Sequence, residues 1–248
     1  SQLHKVPKGF SDEAAVMVEP TACGIHAALS AQTPENGVVT VLGSGTLGLV
    51  TIAALRAHAK PKTILATARY PEQKKLAQQL GADIVVAPDE VHRAVRRTTG
   101  TRALSNGSEN SPKGRVDRLT GGADVVIDCV GSSKSITDAL TITRPRGRII
   151  LVGMPSMVEL ELTPLWHREL QLIGAYTYGT EEINEGQTVR TFDLAFDLVK
   201  NANLEELVSA SYPIDRYQDA LEHAANAGKR GSVKIVFDLR NEREREIK

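Results

Sequence analysis

The chain has 248 residues, of which 41% are hydrophobic, enough for one large domain with a buried core, or for one domain and part of another. Its formal net charge is zero, which argues against nucleic acid or an anionic membrane as the main partner. No apolar run approaches the ~18 residues of a membrane span, no signal-peptide pattern is visible, and the two cysteines (Cys23 and Cys129) lie in apolar surroundings. We therefore expect no disulfide and a cytoplasmic location.

The first predicted element is a helix over residues 11–31. Ser11 can cap its start, and Pro20 is expected to interrupt it, because proline removes a helical hydrogen bond. Residues 38–42 (VVTVL) follow as a continuous apolar, β-branched run, which predicts a strand buried on both faces. Apolar residues then continue at helical spacing from Leu47 onward.

Between this strand and the second helix the sequence reads G-x-G-x-x-G. Gly43 is expected to allow a tight turn, Gly45 to let the backbone approach a pyrophosphate, and Gly48 to let helix and strand pack closely. The first N–H groups of the helix, from Thr46 and Leu47 onward, are expected to hold the phosphates. The alternative is a glycine-rich turn without a ligand, which the strand–turn–helix context makes the weaker interpretation.

Strands and helices continue to alternate after this motif. Pro71 opens a predicted helix that Gly81 closes, and further strands are predicted at residues 63–68, 83–87, 123–129, 147–152 and 170–175. With residues 38–42 these make six strands, which predicts an α/β fold with a doubly wound, parallel six-stranded sheet. Residues 88–122 interrupt the alternation with a polar, basic insertion, in which residues 91–97 are compatible with a helix and residues 100–114 are predicted to form an exposed loop. We interpret the insertion as solvated rather than as an anion site.

The end of the second strand indicates the cofactor. An acidic residue about 20 positions after the glycines would bond the ribose hydroxyls of NAD and repel a 2′-phosphate. Here the strand ends in Ala68, and Arg69 follows it. An arginine can grip phosphate with two hydrogen bonds, so these residues favour NADP. NAD is the alternative, with Arg69 stacked on adenine or facing solvent.

Seven segments, in chain order, resemble the medium-chain dehydrogenase/reductase superfamily, in particular its zinc-dependent alcohol and polyol dehydrogenases. They are VEPTACGIHA (18–27), LGSGTLGL (42–49), KLAQQLGAD (75–83), GADVVIDCVG (122–131), GRIILVGM (147–154), LQLIGAY (170–176) and RGSVKIV (230–236). The resemblance implies a Rossmann domain that binds a nicotinamide cofactor. It also implies hydride transfer to or from a secondary alcohol or polyol, with zinc polarising the alcohol oxygen.

The same resemblance divides the chain. Residues 1–31 are expected to be connecting helices from a catalytic domain that precedes them in the family and is missing here. Residues 32–177 are expected to form the dinucleotide-binding domain, and residues 178–248 to return to the catalytic domain. The chain alone is therefore expected to bind cofactor and to be inactive.

The resemblance also assigns residues. Val152, Gly153, Met154, Ala175 and Tyr176 are expected near the nicotinamide ribose, and Cys129, Val130 and Gly131 above the adenosine. Lys234 matches a position where a basic residue approaches the pyrophosphate, with a solvated lysine as the alternative. Glu19 matches a zinc ligand, or a bonding partner of zinc-bound water. Cys23 is expected to line the nicotinamide pocket, and His26 to be ordinary packing.

Family dimers pair through the sixth strand, so a homodimer through residues 170–175 is expected. A non-enzymatic nicotinamide-binding module or redox sensor stays open as an alternative function. Short-chain dehydrogenases do not fit, because Tyr70 and Lys74 follow the second strand and not the fifth. A methyltransferase would need an acidic residue where Ala68 stands.

Overall fold

The computed structural model describes residues 3–104, 118–184 and 186–240. The strands are β1 (Val38–Leu42), β2 (Thr63–Thr67), β3 (Ile84–Val86), β4 (Ala103–Leu104), β5 (Arg118–Leu119), β6 (Ala123–Asp128), β7 (Thr143–Leu151), β8 (Gln171–Gly174), β9 (Thr180–Asn184), β10 (Gln187–Arg190), β11 (Val208–Pro213) and β12 (Lys234–Asp238). The α-helices are α1 (Asp12–Ser30), α2 (Thr46–Ala54), α3 (Pro71–Gln79), α4 (Val91–Thr99), α5 (Ser133–Ile142), α6 (Thr163–His167), α7 (Thr191–Asn201) and α8 (Tyr217–Ala225).

Six strands form the main sheet in the order β3-β2-β1-β6-β7-β8, and every pairing between them is parallel. The chain moves outward from β1 to one edge, returns to the centre, and moves outward to the other edge. The strand order therefore reverses between β1 and β6, and a doubly wound sheet binds its ligand at such a switch point. The predicted six-stranded α/β fold is confirmed.

The core lies in two layers, one on each face of this sheet. Side chains alternate between faces along a strand, so Val39 and Val41 pack into one layer and Leu42 into the other. The first layer is completed by α1, α2 and α7, and the second by α4 and α5. Since both faces are covered at the centre of the sheet, β1 is buried over four of its five residues and is apolar apart from Thr40.

The prediction that Pro20 interrupts the first helix is wrong, because α1 runs without a break from Asp12 to Ser30. The helix is buried around much of its circumference, and Met17, Ala22 and Ile25 have no exposed surface. Proline inside a helix costs about 3 kcal/mol, which burial of several such side chains outweighs.

The basic insertion contains the helix that was predicted near residues 91–97, and also a short strand pair that was not predicted. Residues 91–99 form α4, and the short antiparallel pair of β4 and β5 follows it. Pro88 lies at the carboxyl ends of the strands, whereas Gly121 leads into the start of β6. The β4–β5 pair therefore lies at the amino ends of the strands, opposite to the cavity. The predicted loop of residues 100–114 and the basic residue that follows it, Arg115, fall largely on positions 105–117, outside the described residues.

The strand predicted at residues 233–239 is present as β12. The hairpin of β9 and β10, and strand β11, which pairs with β12 in parallel, were not predicted from the sequence. Beyond β12, Arg240 turns back to α1, and its guanidinium lies 3.0 Å from the Asp12 carboxylate and 2.7 Å from that of Asp238. Opposite ends of the described chain therefore lie side by side.

Strand β8 is one of the two outer strands of the main sheet, β3 being the other, within the described part of the chain. The homodimer through this strand stays a prediction. None of the helices within residues 3–104, 118–184 and 186–240 combines the length and apolar character that a membrane span requires.

Candidate functional site

The glycine motif forms a tight turn where β1 ends. Gly43 has a φ of +90°, a conformation that other residues rarely adopt. Its N–H donates to the Thr67 hydroxyl at 2.8 Å, and the Ser44 hydroxyl donates to the Thr67 carbonyl at 2.8 Å. These bonds tie the turn to the end of β2.

Gly48 lets α2 lie directly against this turn. A Cβ atom at position 48 would lie 1.8 Å from the Gly43 carbonyl oxygen, so any side chain would force the helix away from the strand. At Gly45, by contrast, a Cβ atom would have no neighbour within 4 Å. Gly45 is the N-cap residue of α2, and the first N–H groups of a helix have no partner inside it. The turn therefore presents free donors, from Thr46 onward, to an open space.

That space is a cavity of about 380 Å³ at the carboxyl ends of β1, β2 and β6. Gly43, Gly45, Arg69, Cys129 and Val130 all line it. Five residues predicted to bind the cofactor thus come together from three strands, at the switch point of the sheet. A cavity of this size suits a nucleoside.

A buried carboxylate supports the floor of the cavity. Asp128, at the end of β6, has no exposed surface, and its carboxylate accepts from the Val130 N–H at 2.9 Å, the Gly131 N–H at 3.2 Å and the Ser135 hydroxyl at 3.0 Å. Burial raises the pKa of the Asp128 carboxyl, and these bonds oppose the rise. Its backbone carbonyl also accepts from the N–H of Gly153 at 2.8 Å. Asp128 therefore fixes both loops that follow β6 and β7.

Ala68 and Arg69 directly follow β2, whose end lies at the cavity. Ala68 is buried, and its N–H donates to the Val86 carbonyl of β3 at 2.9 Å. Arg69 is exposed and lines the cavity, and its backbone N–H donates to the Gln73 side chain at 3.3 Å. The strand thus brings a cation to the cavity and no carboxylate.

Sequence reasoning missed the wall that the start of α5 contributes. Ser132, Lys134, Ser135 and Asp138 all line the cavity. The first three directly follow the fourth strand of the sheet, and the rule that ligands bind at the carboxyl ends of strands would have identified them. Asp138 is one helical turn further on, and only the folded helix shows that it reaches the cavity.

The predicted nicotinamide residues lie outside this cavity. Val152 and Gly153 are held against the loop after β6, and the Ala175 N–H donates to the Leu151 carbonyl at 3.0 Å. Met154 and Tyr176 are 94% and 87% exposed. Their role at the nicotinamide ribose stays a prediction.

Lys234 is the first residue of β12, and its neighbour Val233 accepts a hydrogen bond from the Thr46 hydroxyl at 3.4 Å. Lys234 is therefore placed beside the start of α2. Its role at the pyrophosphate stays a prediction.

Glu19 and Cys23 lie one turn apart on α1, and the thiol donates to the carboxylate at 3.6 Å. Burial, together with the Glu19 charge, raises the pKa of the Cys23 thiol to about 12. Zinc needs three or four ligands, and no three His, Cys, Asp or Glu side chains gather as a metal site in the described ranges. Within the described residues, Glu19 and its neighbours therefore do not complete a zinc site.

His26 is more than ordinary packing. Its Nδ1 lies 2.8 Å from the Glu181 carboxylate, which also accepts from the Thr191 hydroxyl at 2.8 Å. The hydrogen bond to Glu181 raises the pKa of His26, although burial opposes it, and the same bond lowers the pKa of Glu181. This pair joins α1 to β9 and to the start of α7.

We expect the His26–Glu181 pair to stabilise the fold mainly between pH 4.5 and 6.5, the ordinary pKa values of the two groups. The raised His26 pKa contributes fully below 6.5 and is lost as the pH rises through the folded-state value. The lowered Glu181 pKa contributes fully above 4.5 and is lost as the pH falls through its folded-state value. His26→Gln should lower the unfolding free energy by about 1–2 kcal/mol in this window.

Urea denaturation across pH 4–9 measures the difference between wild type and His26→Gln. The exposed His167, changed to glutamine, is the matched control and should leave the pH profile unaltered. A difference for His26→Gln that stays constant with pH would contradict the ion pair.

Comparison with known proteins adds a family match. The model of the zinc-binding dehydrogenase family matches residues 46–193, which is more than half of the chain. L-idonate 5-dehydrogenase of Vitis vinifera is 29% identical over 238 residues, which cover 95% of this chain and 58% of the relative. The chain therefore spans less than two thirds of that relative's length.

Solved structures agree on the fold. A structure described as a short chain alcohol dehydrogenase of Escherichia coli CFT073, complexed with NADH, gives a TM-score of 0.70 at 21% identity, over 94% of this chain and 61% of that one. A zinc-binding dehydrogenase of Sinorhizobium meliloti 1021 bound to NADP gives 0.69 at 22% identity, over 95% and 62%. At these identities the likeness establishes the architecture alone.

Proposed function

Because the chain belongs to the zinc-binding dehydrogenase family, we propose that it is the cofactor-binding part of an oxidoreductase that transfers a hydride between a nicotinamide cofactor and a secondary alcohol or polyol. The grapevine relative is named for L-idonate, which suits a polyhydroxylated substrate. The activity of the whole protein belongs to this proposal, since the chain spans 58% of that relative.

One observation supports the proposal most directly. Helix α2 packs so closely against Gly43 that position 48 of the helix has no room for a Cβ atom. On its other side the glycine turn opens onto a nucleoside-sized cavity at the switch point. Tight packing on one side and open space at Gly45 on the other suit a pyrophosphate lying across the helix start.

The residues present fit such a cofactor. Gly45, Thr46 and Leu47 would receive the pyrophosphate on their N–H groups, and the loops fixed by Asp128 would hold the adenosine half. The nicotinamide ring, when bound, would accept a hydride from the alcohol carbon as the hydroxyl proton is released. The protein's part is to align the cofactor with that carbon.

Glu19 is proposed as one zinc ligand in the whole enzyme. Carboxylate oxygen is a normal zinc ligand, and Cys23 lies beside it. Within the described residues this pair stands without a third ligand, so the proposal concerns metal binding and not a step of the reaction.

We further propose that NADP(H) is preferred, because Ala68 removes the carboxylate that would repel a 2′-phosphate and Arg69 supplies a cation in the cavity. Arg69→Ala should weaken NADPH binding by about tenfold and leave NADH binding nearly unchanged. Calorimetric titration of both nucleotides into wild type and variant measures this.

Arg69→Lys is the graded control, because lysine keeps the charge and loses the two-pronged geometry, so an intermediate loss of NADPH affinity is expected. Tighter binding of NADH by the wild-type chain would contradict the role of Arg69 and leave the family intact. Binding of neither nucleotide would contradict the proposed function itself.

A further inference from the structure

The wall of the cavity opposite Arg69 carries a second cation. Lys134 lines the cavity from the first turn of α5, after β6, whereas Arg69 follows β2, and β1 lies between these strands. The Lys134 ammonium lies 2.7 Å from the Asp138 carboxylate, one turn further along the helix. The two basic residues therefore face the same space from two sides.

The position of Lys134 is locally unfavourable. The start of a helix carries a partial positive charge, so a lysine there costs about 0.3–1 kcal/mol, and α5 has no acidic residue in its first turn. The ion pair with Asp138 offsets this repulsion between Lys134 and the helix start. A bound anion at the mouth of the cavity would compensate as well, and would also interact with Arg69.

The Asp138 carboxylate is paired with two basic side chains, Lys134 and His92, which reduces its repulsion of an anionic ligand. It is the one carboxylate among the described residues that line the cavity, its side chain is 15% exposed, and its second oxygen lies 2.9 Å from His92 of α4. His92 would keep Asp138 paired if Lys134 moved away. Lys134, by contrast, is 69% exposed and can reorient without uncovering buried surface.

We propose that Lys134 is a second specificity-determining residue for the 2′-phosphate of NADPH, with Asp138 as the partner it leaves when that phosphate binds. This inference rests on the proposed function and adds a residue from the opposite wall of its site. Arg69 and Lys134, which follow different strands and line the same cavity, would hold the phosphate between two cations.

The test is calorimetric titration of NADPH and NADH into wild type, Lys134→Met and Asp138→Asn. Lys134→Met should weaken NADPH by about three- to fivefold and leave NADH within error. Asp138→Asn should increase the affinity for NADPH, because Lys134 no longer has to leave a carboxylate. This gain should vanish when Asp138→Asn is combined with Lys134→Met. Lys75→Met is the matched control, since Lys75 is 62% exposed, pairs with Glu72 and lies outside the cavity lining.

An unchanged NADPH-to-NADH preference in Lys134→Met, with a changed preference in Arg69→Ala, would overturn this inference and leave the proposed function standing. An equal loss in Lys75→Met would also overturn it, because the effect would then be one of net charge. If the wild-type chain bound neither nucleotide, both proposals would fall together.

Discussion

Replacing Gly48 with alanine is expected to lower the unfolding free energy by about 2–4 kcal/mol and to bring nucleotide binding below detection. The new Cβ atom would lie 1.8 Å from the Gly43 carbonyl oxygen, which is backbone and cannot rotate away. The start of α2 would have to move off the end of β1, and with it the free N–H groups. Urea denaturation and calorimetry with NADPH and NADH measure the two effects.

Gly45→Ala is the matched control. Gly45 has a φ of −79°, which alanine adopts freely, and a Cβ atom there has no neighbour within 4 Å. Its stability should stay within about 1 kcal/mol of wild type, while nucleotide binding weakens because the methyl group stands where the pyrophosphate would approach. Wild-type binding by Gly45→Ala would place the phosphates elsewhere. A stable, binding-competent Gly48→Ala would refute the packing argument.

Asp128→Ala is expected to be the second severe substitution, with a loss of about 3 kcal/mol in unfolding free energy. It would leave two N–H groups and the Ser135 hydroxyl without their buried acceptor. The loop of Val130 and Gly131 would lose its anchor, so nucleotide affinity should fall as well. Urea denaturation and calorimetric titration are the measurements.

Asp128→Asn separates the hydrogen bonds from the charge. An asparagine oxygen can accept from both N–H groups, and its amide can donate to the Ser135 hydroxyl, which then donates to the Ser132 carbonyl 3.1 Å away. This variant should stay within about 1 kcal/mol of wild type, because all partners remain satisfied. If asparagine were as damaging as alanine, the buried charge itself would be what the site requires.

The sheet and the glycine turn were predictable because both depend on local patterns. A strand buried on both faces is apolar throughout, and the strand–glycine–helix sequence has few alternatives, so residues 38–48 already indicated the switch point. The placement of Arg69 followed from its position at the end of the next strand.

The rest depends on contacts between distant parts of the chain. The preference of Pro20 to break a helix is outweighed by the packing of α1 against α2 and α7. Local sequence rules do not include such tertiary packing. The pairing of His26 with Glu181 spans 155 positions, and the approach of Asp138 to the cavity depends on how α4 and α5 pack. Such contacts are set by tertiary packing, and a single sequence does not reveal them.

The link from Arg240 to Asp12 has a consequence for biosynthesis. These residues are 228 positions apart, and a ribosome adds about 5–20 residues per second. Arg240 is therefore synthesised roughly ten seconds or more after Asp12. The central strands and α2 can meet α1 much sooner, because they follow it directly. Assembly on the ribosome should therefore begin with the nucleotide-binding half, and the ion pair between Arg240 and Asp12 should form last.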